Sequence, residues 1–171
     1  MRRIAVCPGS FDPVTVGHVD IFKRASKMFD KVIVLVSVNP TKKPSFSPVE
    51  RITMIERVTC HMDNVVIDIL DGLLADYVER VQACAIVKGL RAVSDFEYEF
   101  QMALANRKLY PEAETVFIPT ASENMYLSSS VVKQIAMFGG DISSFVPAEI
   151  LDDILKRIGK SDDYENYRWE Y

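Results

Sequence analysis

Five short runs rich in β-branched residues recur along this chain, at Ile4 to Cys7, Val32 to Val38, Val65 to Leu70, Cys84 to Val87 and Val116 to Ile118. Each gap between them is long enough to hold a helix. Adjacent parallel strands need a crossover of about a dozen residues or more, normally helical, so this alternation predicts a parallel sheet rather than hairpins. The expected fold class is α/β: a single-domain, doubly wound, five-stranded parallel sheet. The 171 residues, 49% of them hydrophobic, suit one core of that size.

The gaps carry helix signals. Ile21, Phe22, Ala25, Met28 and Phe29 follow a 3.6-residue repeat and predict one face packed on the sheet. "SPVE" at 47–50 offers a capping serine, a proline at the first helical position and Glu50 to close a capping box. "SDFE" at 94–97 reads the same way and opens a helix through Leu109 with apolar residues on more than one side. "SSSVVKQIAMFGG" predicts a serine-capped helix stopping at Gly139 and Gly140, and Pro147 to Ile158 a last amphipathic helix. No internal repeat or interdomain linker is visible. The expected layout is one domain over 1–160, followed by a tail, 161–171, of acids and aromatics.

A net charge of −4 argues against a general nucleic-acid binder, which needs a surplus of Lys and Arg. Cys7, Cys60 and Cys84 are scattered without C-x-x-C spacing, so neither a disulfide framework nor a zinc site is expected. The apolar run after Arg2 and Arg3 ends at Pro8, far short of a signal-peptide core, and "VIVLVSV" is too short to cross a bilayer. No nucleic-acid partner and no membrane are expected; a reducing cytoplasm fits.

The first strand breaks into "PGSFDPVTVGH" just where a helix begins. In open parallel sheets ligands gather beyond the carboxyl ends of the strands, at such turns. Gly9 and Gly17 allow close backbone approach, and the free N–H groups of the coming helix favour an anion, most naturally a phosphate. Neither the dinucleotide G-x-G-x-x-G nor a P-loop is present. His18 has two readings here. It is a rim histidine closing the core above Ile21 and Phe22, or a donor to a phosphoryl oxygen as negative charge builds there.

Thr15, Gly17 and His18 resemble the T/H-x-G-H signature of the nucleotidyltransferase α/β phosphodiesterase superfamily. With "KGLRAVSDFEYEFQMALANRKL" and "SENMYLSSSVVK", the chain from about Arg3 to Ile158 resembles the bacterial phosphopantetheine adenylyltransferase family. The resemblance implies a Rossmann-like nucleotidyltransferase fold. It also implies transfer of the adenylyl group of ATP to 4′-phosphopantetheine, giving dephospho-coenzyme A and pyrophosphate, with Mg2+ accompanying ATP and no protein ligand assigned to that ion. An acceptor phosphate is already anionic at neutral pH, so positioning and charge stabilisation carry such a displacement and no covalent intermediate is needed.

By the same resemblance His18, Lys42 and Arg91 are the expected catalytic residues. Ser10, Lys42, Leu74 and Lys88 are expected toward phosphopantetheine. Ser10, Phe11, His18, Gly89, Leu90, Arg91, Glu99 and the segment Asn124, Met125, Tyr126, Leu127, Ser128, Ser129, Ser130 are expected toward ATP. Several have plainer readings: Lys42 as a solvated loop lysine, Glu99 as a surface carboxylate, Leu73 and Leu74 as core, Tyr98 as packing, the three serines as a helix cap. Where many relatives carry Arg, Lys88 keeps the charge but not the bidentate geometry. The resemblance further implies a homo-oligomer, a hexamer, and raises coenzyme A as a feedback ligand. Two rivals remain: another acceptor within the superfamily, such as nicotinamide mononucleotide or a cytidylyl acceptor, and a flavodoxin-like module that binds without chemistry.

Overall fold

The computed structural model describes residues 3–38, 43–91 and 93–159, the side chains at 93 and 94 excepted. Lys42 and the tail 161–171 lie outside the described residues. Five strands, β1 (Ile4–Gly9), β2 (Lys31–Ser37), β3 (Val65–Leu70), β4 (Ala85–Leu90) and β5 (Glu114–Pro119), form one sheet in the order β3-β2-β1-β4-β5. Every pairing is parallel. Between and after them lie α1 (Val16–Met28), α2 (Pro48–Thr59), α3 (Leu74–Arg80), α4 (Val93–Leu109), α5 (Ser129–Met137) and α6 (Ala148–Ile158).

The strands go where the apolar runs predict. Val32 to Val36 of β2 are all buried, as befits a strand covered on both faces, whereas β3 at the sheet's edge carries Asp68 and exposes Val66 and Ile69. β1 and β4 run past their β-branched stretches, into Pro8–Gly9 and Lys88–Leu90, because pairing with β2 and with β5 respectively extends them.

Two cores flank the sheet. Ala5, Cys7, Val32, Val34, Val36, Ala85 and Val87 pack with Phe22 and Ala25 of α1, Met54 and Ile55 of α2, Val132 of α5 and Ile150 and Ile154 of α6. The opposite face, with Val6, Ile33, Leu35 and Ile86, packs on Tyr77 and Val78 of α3. Full burial of each such aliphatic side chain contributes about 1.5–3 kcal/mol, so the first core carries most of the apolar stabilisation. Met28, expected inside, is 45% exposed at the end of α1.

Local capping agrees with the residue chemistry. Ser47 Oγ accepts from Glu50 N–H at 3.2 Å while Glu50 Oε2 accepts from Ser47 N–H at 2.7 Å, closing the expected box. Ser128 Oγ accepts from Val131 N–H at 3.1 Å. α5 ends as expected, with Gly139 at φ 76°. α4 begins at Val93, ahead of the position expected for a Ser94 cap.

One seam differs from the others. β1 and β4 share only two paired positions, Ala5 with Ala85 and Val6 with Ile86, against six in each remaining seam. Beyond Val6 and Ile86 these two central strands part toward their carboxyl ends, at the point where the strand order reverses, and a crevice opens there.

Candidate active site

The crevice is a cavity of about 460 Å³. Its floor is the parted strands, Cys7, Pro8, Gly9, Val87, Lys88 and Gly89; its walls come from the start of α1, from α4 and from the stretch leading into α5. Of the residues singled out from sequence it gathers Ser10, Phe11, His18, Lys88, Gly89, Arg91, Tyr98, Glu99, Asn124, Leu127, Ser128, Ser129 and Ser130. Leu74 instead packs against the α3 side of the sheet. Leu90, Met125 and Tyr126 do not line the cavity, and the Tyr126 ring stands edge-on to Phe145.

Thr15 is the N-cap of α1, and His18 takes the place that Glu or Gln fills in an ordinary capping box. His18 N–H donates to Thr15 Oγ1 at 3.4 Å, and Thr15 N–H donates to His18 Nδ1 at 3.0 Å. Thr15 Oγ1 also lies 3.0 Å from Nδ1. A nitrogen that accepts a backbone N–H carries no proton itself, so the neutral ring bears its hydrogen on Nε2. Burial, followed by the positive charge of Arg91, pulls the imidazole pKa down to about 4. At neutral pH the ring is therefore an uncharged donor.

The rest of the helix start is nearly all assigned. Val16 N–H donates to Phe145 O at 3.1 Å. A Cβ at Gly17 would meet nothing closer than 3.6 Å, so no protein neighbour requires glycine there; the space belongs to the cavity that Gly17 lines. Gly9 is the opposite case. A Cβ on it would fall 2.6 Å from the Phe11 ring. Phe11 itself adopts φ 47°, a left-handed conformation unusual for an aromatic residue, and packs edge-on to His18 and Phe22 with centroids 5.1 and 5.3 Å away.

The cations across the cavity are held by acids of α4. Arg91 makes a fork with Asp95, Nε to Oδ2 at 2.8 Å and Nη2 to Oδ1 at 3.2 Å, and its Nη1 donates to Leu127 O at 3.1 Å. Lys88 Nζ lies 3.1 Å from Glu99 Oε2. Cys7 is no nucleophile: burial, opposed only in part by the charge of Lys88, pushes its thiol up to about 12.

Sequence reasoning missed Arg51. The residue is 2% exposed, and its guanidinium donates to Ser10 O at 2.7 Å and Ser37 O at 3.2 Å and so fixes the cavity loop from α2. Asp12, in the same loop, accepts from Phe46 N–H at 2.9 Å and Lys133 Nζ at 2.8 Å. Burial alone would raise the Asp12 carboxyl; those hydrogen bonds, that of Ser45 and the Lys133 charge outweigh it and hold the group below its usual range.

A neutral imidazole donor, two cations and the hydroxyls of Ser128, Ser129 and Ser130 around one crevice make a receptacle for phosphates. Comparison with known proteins agrees. Residues 6–135 match the cytidylyltransferase-like family. A solved bifunctional NMN adenylyltransferase/ADP ribose pyrophosphatase of Francisella tularensis, complexed with AMP and a Mn ion, superposes with a TM-score of 0.68 at 19% identity, over 91% of this chain and 49% of that one. That likeness is one of fold. Sequence similarity is far closer to a phosphopantetheine adenylyltransferase of Caldanaerobacter subterraneus, 55% identical over 93% of this chain and 99% of the relative. One of Clostridium novyi is 56% identical over 92% and 98%. Identity at that level along nearly the whole chain, on a crevice of this chemistry, means that the protein belongs to the phosphopantetheine adenylyltransferase family of cytidylyltransferase-like proteins.

Proposed function

We propose that the protein transfers the adenylyl group of ATP to 4′-phosphopantetheine, releasing pyrophosphate and dephospho-coenzyme A by in-line displacement at the α-phosphorus. The observation that carries this reading is the His18 ring: neutral, with its proton on Nε2, and walled into the same cavity as Arg91 and Lys88. In the displacement the acceptor phosphate oxygen forms the new bond to phosphorus as the bond to pyrophosphate breaks, and no proton need leave the nucleophile first. His18 Nε2–H donates to the α-phosphoryl oxygens as charge gathers on them. Arg91 and the Ser128–Ser130 stretch receive the triphosphate, with Ser10, Phe11, Gly89, Glu99, Asn124 and Leu127 completing the nucleotide site. Lys88, with Ser10 and Lys42, takes the acceptor.

A divalent ion, magnesium in our reading, accompanies the nucleotide. Among the described residues no group of three or more His, Cys, Asp or Glu could hold a metal, and Asp95 and Glu99 are committed to cations.

Phe96, Phe100, Met102, Leu104 and Leu109 leave α4 with exposed apolar surface, which supports a homo-oligomer, a hexamer in our reading. No helix among the described residues is long and apolar enough to cross a membrane, and we place the enzyme in the cytoplasm. The deciding experiment is pyrophosphate release from ATP and magnesium with a panel of acceptors. Strong release with phosphopantetheine and little with nicotinamide mononucleotide is the expected result. Silence with every acceptor overturns the proposal.

A further inference from the structure

The segment Ser10–Pro13 is tied to its surroundings from two sides. From α2 and the residues before it come Arg51, which donates to Ser10 O at 2.7 Å, and the N–H groups of Ser45 and Phe46, which donate to the Asp12 carboxylate at 3.0 and 2.9 Å. From α5 come Lys133 Nζ, 2.8 Å from Asp12 Oδ2, and Ser129 Oγ, which donates to Pro13 O at 2.8 Å. Asp12 is 7% exposed, so this carboxylate is committed to the clamp rather than to solvent.

What the clamp holds is a backbone that would not stay put unaided. Phe11, between Ser10 and Asp12, is in the left-handed region, a conformation that persists in a bulky residue only where its neighbours over-determine it. Its ring is the edge against which His18 rests, and both rings face the cavity. Asp12 does not line the cavity, whose lining residues pass from Phe11 to Thr15.

We propose that Asp12 is a positioning residue: with Lys133 and Arg51 it fixes the Ser10–Phe11 turn, and through Phe11 it sets the orientation of the His18 ring in the cavity. The proposal rests on the transferase reading for its kinetic consequence, but the orientation of the ring can be observed without turnover.

The test uses the full chain and three variants, Asp12→Asn, Lys133→Met and Lys133→Arg. The sequence has two histidines, His18 and His61, so nitrogen-15 histidine spectra of His18 have an internal control in His61. Asp12→Asn and Lys133→Met should shift the His18 ring signals away from the pure Nε2–H form, with those of His61 unmoved. Saturating turnover should fall about 10- to 100-fold while the dissociation constant for ATP changes less than about threefold. Lys133→Arg should restore both the spectrum and the turnover. His18 signals unchanged in Asp12→Asn and Lys133→Met overturn the proposal whatever the activity, as does loss in Lys133→Arg equal to that in Lys133→Met. If the unsubstituted enzyme releases no pyrophosphate with any acceptor, the transferase reading fails while the spectra still decide the role of Asp12.

Discussion

The backbone N–H of Thr15 donates to Nδ1 of His18 at 3.0 Å, so the cap of α1 decides which nitrogen of the neutral ring carries the proton. A capping box normally closes a helix N-terminus with a Glu or Gln at its third position; here the same geometry presents an imidazole.

The folded protein keeps this imidazole neutral down to about pH 4, against about 6.5 for a free side chain, through burial and the Arg91 charge. Between those values the unfolded chain binds a proton there that the folded chain refuses. Folding stability must therefore rise with pH across that window and be fully present above about 6.5. On acidification from pH 6.5 to 4 this group alone should remove on the order of 3 kcal/mol. Urea titrations of the protein and of His18→Gln across that range should converge at the acid end, and parallel curves would refute the assignment.

His18→Ala should leave the circular dichroism spectrum unchanged and cut kcat by on the order of 10²- to 10³-fold, the usual loss when one preorganised donor to a transition state is removed. Near-normal velocity at saturating substrates would remove His18 from the chemistry.

Gly9→Ala places a methyl group 2.6 Å from the Phe11 ring. Either the ring or the strand end must move, at an expected cost of about 1–3 kcal/mol. Because Phe11 supports His18, turnover should fall more than the melting temperature suggests. A variant with wild-type kcat would show that the Phe11 contact is not needed.

Lys88 and Glu99 form a pair in which both side chains are about three-quarters buried, at 22% and 23% exposure. Lys88→Met leaves that carboxylate without its partner and should destabilise the protein by about 1–3 kcal/mol, whereas adding Glu99→Gln should recover most of the loss. A double-mutant cycle in denaturant measures the coupling; additive losses would mean that the pair contributes nothing.

The sheet was legible because β-branched runs alternate with amphipathic spacing, and Val32–Val36 could hardly be anything but a covered strand. Strand ends were less so: nothing in Lys88–Gly89–Leu90 favours extended structure until Phe117–Pro119 lie beside it. Among site residues, His18, Ser128 and Arg91 stand in turns whose glycine, serine and basic character mark them. Arg51 and Asp12 carry no such mark. A charged residue early in a capped helix reads as solvated, and only the fold brings the carbonyls of Ser10 and Ser37 to Arg51, 41 and 14 residues away. Leu74, Met125 and Tyr126 could not be sorted by sequence, since apolar character alone does not separate a ligand wall from ordinary packing.

The two-rung join between β1 and β4 also has a mechanical meaning. Among the described residues it is the only direct strand contact between the half of the sheet built from β1, β2 and β3 and the half built from β4 and β5. Whatever lodges between Gly9 and Gly89 grips both halves at once, as a bolt does across a hinge. Resistance to pulling the halves apart then depends on whether the molecule is loaded.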